Sequence, residues 1–106
     1  MDARGLQGRP AISPKIFDEN GAEVYGTLLV KKDYAMQQGI SGYARDLTAA
    51  QSNPRVTENP LTVKAISAEG ASKTEFIISN EDAKQIRAAK DNLTFLQKCR
   101  VMIVLD

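Results

Sequence analysis

Histidine and tryptophan are absent from the 106 residues, and cysteine occurs once. Without His there is no imidazole general base, no Ser-His or Cys-His nucleophile pair and no His-ligated metal, and a single Cys allows no internal disulfide. An excess of charge is missing too: 14 Lys and Arg stand against 13 Asp and Glu, a net charge of +1. A dedicated nucleic-acid binder ordinarily carries a basic excess or stripe, so no nucleic-acid partner is expected. No run approaches the ~18 apolar residues of a membrane helix; the longest, Val101 to Leu105, has strand length. Met1-Asp2-Ala3-Arg4-Gly5 contains no apolar stretch of the kind that forms a signal peptide.

Apolar residues make up 42% of the chain and charged residues 25%, the balance of a folded domain rather than a disordered tail. The length is that of one domain, 1–106. Both ends read as cuts at a domain edge, and the expectation is a fragment of a longer exported protein.

Residues 1–14, with Gly5, Gly8, Pro10 and Pro14, show no periodicity and read as an extended lead-in. Lys15–Glu19 and Ala22–Tyr25 flank Asn20-Gly21, which predicts a hairpin with a type I′ turn and a second strand extending through Thr27–Val30. Across 33–51, Tyr34, Met36, Ile40, Tyr43, Ala44 and Leu47 recur at spacings that place most of them on one helical face. Gly39 and Gly42 weaken that helix by about 1 kcal/mol each, which leaves it marginal alone and predicts either a kink or close backbone packing at the glycines. Two Asn-Pro steps make 51–60 an irregular loop.

The alternation of Leu61, Val63 and Ala65 predicts a strand over 61–66, and a turn at 68–72 leads to a partner strand at 74–78. Ser79 followed by Glu81 and Asp82 marks an N-cap with acidic residues in the first turn; Ala83, Ile86, Ala89, Leu93 and Leu96 then form the buried stripe of a helix to about Gln97. The final run, Val101–Leu105, is apolar on both faces and predicts a central strand covered on both sides. The order β-β-α-β-β-α-β describes an α+β two-layer sandwich with a mixed or mainly antiparallel sheet and two helices.

Chemistry-bearing residues are few. Cys99 sits where the last helix gives way to the most hydrophobic strand, where a helix C-terminus disfavours a thiolate, and reads as a structural thiol. The carboxylate pairs Asp18/Glu19 and Glu81/Asp82 have simpler duties at an exposed hairpin turn and at a helix N-terminus than in a hydrolytic site. No catalytic residue, metal site or cofactor is expected. Functional contact is expected instead at Tyr34, Gln37, Gln38, Tyr43, Arg45, Asn53 and Arg55, because Tyr and Arg are frequent interface anchors and ordered polar loops commonly carry function.

The strings DARGL (2–6), RPAISPKIFDENGAEVYG (9–26), DYAMQQGISGYARDL (33–47), QSNPRVTENPL (51–61), FIISNEDA (76–83) and NLTFLQKCRVMIVLD (92–106) resemble the C-terminal domain of a family of bacterial envelope lipoproteins. That family is similar to small outer-membrane lipoproteins and flagellum-associated envelope proteins of Gram-negative bacteria. The resemblance spans nearly the whole chain and brings no catalytic motif. It implies a non-enzymatic domain in the periplasm or at the outer membrane, meeting other envelope proteins or itself, with membrane attachment only through an anchor outside this chain. A small-ligand or glycan-binding module of the periplasm using Tyr34, Tyr43 and Arg45 is the alternative.

Overall fold

A computed structural model describes residues 1–26, 30–56, 61–88 and 90–106. The main sheet is built from two hairpins. Strands β1 (Lys15–Phe17) and β2 (Glu23–Tyr25) pair antiparallel. In the second hairpin, β4 (Ala65–Glu69) and β5 (Glu75–Ile78) also pair antiparallel. The hairpins join through their inner strands, β1 lying parallel to β5 with Ile16 opposite Phe76, so the order is β2-β1-β5-β4 and the sheet is mixed.

The first turn is wider than the expected type I′. Only Gly21 has positive φ, at 83°, and its N–H donates to the Asp18 carbonyl at 3.1 Å. The cause is Asp18, whose Oδ1 accepts from both Asn20 N and Ala22 N at 2.9 Å, drawing the chain into an Asx-stabilised loop, with a register shift between Ile16 and Phe17. The expected continuation of β2 falls on residues 27–29, outside the described residues.

Strand β4 begins four residues later than the alternation predicts. Val63 and Ala65 are buried as expected, but Leu61 is half exposed. An irregularity between Ala65 and Ser67 shifts the pleat, so that Ala68 rather than Ser67 turns inward, while Ile66 keeps the outward place the alternation gives it.

The single helix expected over 33–51 is three elements: α1 (Lys32–Gln38), β3 (Gly42–Ala44) and α2 (Leu47–Gln51). The glycines do more than kink it. Gly39 ends α1 at φ 78°, and Gly42 lies in β3 against Met102, where a Cβ would collide with the Met102 sulfur. Asp46 caps α2 by accepting from Thr48 N at 3.1 Å. The later helix is likewise two, α3 (Asn80–Ala88) and α4 (Lys90–Gln97). Ala83 and Ile86 are buried and Leu96 partly so, whereas the Ala89 and Leu93 positions of the stripe lie outside the described side chains.

Strand β6 (Met102–Val104) does not enter the four-stranded sheet; it pairs parallel with β3. Its other edge takes the chain's first residues. Val104 N donates to Met1 O and Ala3 N to Val104 O, both at 2.9 Å. On the far side of the same segment Asp2 N donates to Val63 O and Ala65 N to Asp2 O. Residues 1–3, expected to be only a lead-in, therefore stitch the two sheets together.

The two apolar faces of β6 serve two clusters. Ile103, with the flanking Val101 and Leu105, belongs to the larger one around Phe76 and Ile78. Met102 and Val104 join Ala50 of α2 in the smaller. A period-two alternation thus divides one strand between two cores, which is why it is apolar throughout.

Candidate interaction surface

The segment from α1 to Arg55 is shaped by groups that turn inward. Arg55 Nε donates to the Cys99 carbonyl at 2.8 Å and Nη2 to the Gly39 carbonyl at 2.6 Å, while the Asn53 side chain accepts from Arg55 N at 2.9 Å. One guanidinium thereby ties the end of α1 to the turn before β6. The buried Tyr25 hydroxyl donates to the Ile40 carbonyl, and burial first, then the neighbouring Cys99, pushes its phenol well above the ordinary value. Tyr43 Oη donates to Ala11 O at 3.0 Å and accepts from Ala11 N at 2.9 Å; burial raises this phenol too.

These bonds hold the two walls of an open groove. One wall is the irregular stretch around Ile12, next to the Ala11 that Tyr43 grips. The other is α1 with Ala35, Met36 and the Gly39-Ile40 turn held by Arg55 and Tyr25; Val30 and Lys32 complete the lining. Ile12 is 90% exposed and Met36 76%. Isolated apolar side chains on a surface need no explanation, but two large ones lining the same groove form a patch.

The seven residues expected to make contact divide into two groups. Tyr43, Asn53 and Arg55 are occupied within the chain as just described. Tyr34 is half-buried on α1, Gln37 is exposed on the same helix, and Arg45 is exposed just after β3. Gln38 closes α1, and its side chain lies outside the described ones. Sequence reasoning missed Ile12 and assigned Met36 to a buried helical face. The available signal for Ile12 was a lone large apolar residue between Pro10 and Pro14, in a segment too irregular to bury it.

The carboxylate pairs do structural work. Asp18 is buried rather than lying at an exposed turn, and it accepts from Arg87 Nη1 at 2.9 Å. Arg87 first, then the Ala22 and Asn20 amides, hold its carboxyl below the ordinary value. Ser79 Oγ accepts from Asp82 N at 3.0 Å, the expected N-cap. Cys99 is fully buried at φ 59°, consistent with a structural thiol. Among the described residues no three Asp, Glu or Cys side chains could hold a metal ion, and no helix is long and apolar enough to cross a membrane.

No curated protein matches the sequence. Residues 1–106 match the family model described as the second domain of Treponema pallidum Tp0624, and the chain belongs to that bacterial domain family.

Proposed function

We propose that this is a non-enzymatic contact domain whose Ile12/Met36 groove packs against another protein. The observation that carries the reading is the pairing of two highly exposed large apolar side chains on walls pinned by Tyr43, Arg55 and Tyr25. A rigid apolar patch flanked by polar side chains such as Gln37 and Lys32 has the layout of an interface core with its rim, and it loses little entropy on docking. The family description supports a modular setting, since it names a second domain. The envelope compartment, with a lipid anchor outside this chain, is the finer part of the proposal and rests on the sequence resemblance alone.

A photo-crosslinking side chain placed at position 36 tests the reading in the native host. A specific crosslink to one protein, or to a second copy of the domain, is expected, and Ile12→Asp abolishes it. The same yield from a crosslinker at exposed Lys84 on α3, or a crosslink that survives Ile12→Asp, overturns it.

A further inference from the structure

The two apolar clusters do not close on each other where β6 begins. Between them lies a cavity of about 140 Å³. Its floor is the face of the main sheet at Ile16, Val24 and Ile78, with Ile86 of α3; α2 contributes Ala50 from the smaller cluster. Protein interiors are normally packed to the density of organic crystals, with few voids larger than a water molecule. An enclosed apolar cavity near 150 Å³ is large enough for one benzene ring; this one is of that size but opens to solvent, with exposed Gln51 and Thr62 in its lining.

The mouth has a different chemistry. Gln51 and Thr62 meet across it, Gln51 Nε2 donating to Thr62 Oγ1 at 3.0 Å. The exposed Arg100, also in the lining, holds its guanidinium 5.9 Å from the centroid of the Phe95 ring. Among the described residues Arg100 makes no ion pair with a carboxylate. A mainly apolar chamber with the Phe95 ring and the exposed Arg100 guanidinium in its lining defines complementary ligand chemistry: a ring-sized hydrocarbon body carrying one carboxylate.

We propose that this cavity is a binding site for a small aromatic or branched aliphatic carboxylic acid, with the hydrocarbon between the two clusters and the carboxylate on Arg100. The site is separate from the Ile12/Met36 groove, and neither proposal depends on the other.

Titration of the 106-residue chain with benzoate, and separately with toluene, followed by amide and methyl NMR, tests it. Both probes are expected to shift the methyl signals of Ile16, Val24, Ile78 and Ile86, with benzoate binding at least threefold more tightly. Arg100→Gln removes that preference and leaves toluene binding unchanged. Ala50→Leu, which puts three carbons into the chamber, weakens both probes at least tenfold while its amide spectrum stays folded. Absence of binding by either probe at millimolar concentration, shifts confined to other residues, unchanged binding in Ala50→Leu, or a benzoate affinity that Arg100→Gln does not move each overturns the assignment.

Discussion

Glu19 and Asn80 satisfy each other's backbone across 61 positions of sequence. Asn80 Oδ1 accepts from Glu19 N at 2.9 Å, and Glu19 Oε2 accepts from Asn80 N at 3.1 Å. The tip of the first hairpin thereby covers one of the open amides at the start of α3, and a carboxylate there also complements the helix dipole. Replacing either residue with Ala is expected to cost about 1 kcal/mol in urea unfolding. Because the two bonds hold one junction, the double variant is expected to lose less than the sum of the two. A cost confined to one of the single variants would show that only one of the two bonds stabilises the fold.

Asp18 makes the same junction sensitive to acid. Its carboxyl titrates below the usual carboxylate value in the folded chain, held there by Arg87 and the two turn amides. A group with a depressed folded value contributes stability that is fully present above its unfolded value of about 3.8 and disappears as pH falls through the folded one. Asp18→Asn is expected to lower stability at pH 7 and to flatten the decline below about pH 4. Urea midpoints measured from pH 2.5 to 7 check both effects; an acid limb as steep as that of the parent chain would count against the assignment.

Gly8 is required for space rather than for φ. A Cβ there would lie 2.6 Å from Phe76 Cε1 and 3.3 Å from Leu105 Cδ2, and Phe76 is completely buried. Gly8→Ala is predicted to cost about 1–3 kcal/mol through overpacking. Phe76→Leu, itself destabilising at this buried site, is expected to cost less in the Gly8→Ala background than alone, since the ring is the obstacle. Thermal unfolding of the single and double variants provides the comparison.

The Tyr43 hydroxyl binds Ala11 as both donor and acceptor. Tyr43→Phe leaves an amide and a carbonyl without partners, and a loss of about 1–2 kcal/mol is expected. Hydrogen exchange at the Ala11 amide should accelerate by more than the global destabilisation explains, because the Ile12 wall is released locally.

Cys99 should resist an aromatic disulfide reagent in the folded chain and react at the rate of an ordinary thiol in urea, because its side chain has no solvent exposure. A fast native reaction would place the turn before β6 in frequent opening.

Much of the architecture was legible from local patterns. Asn20-Gly21 marked the first hairpin, Ser79 the start of α3, and the unbroken apolar run the doubly covered β6. Other features were not. The helical period over 33–51 persisted through Gly39 and Gly42, yet backbone freedom at those glycines let the chain turn aside and place Gly42 beside Met102. The pleat shift near Ile66 left no mark in composition. Of the contact residues, Tyr43 and Arg55 do bear on the proposed groove, but as internal ties whose backbone partners no sequence pattern names. Ile12, which forms the groove's edge, has no periodic neighbours to draw attention to it.

The stitch made by residues 1–3 also governs the order of assembly. Asp2 bridges Val104 and Lys64, so the join between the sheets requires closure over almost the full chain length. Such contacts close the longest loop in the fold, and non-local pairings of this kind slow folding. During synthesis both hairpins can emerge and pair while the first residues still lack one neighbour. The second sheet can lock only after β6 has emerged, later than either hairpin of the main sheet.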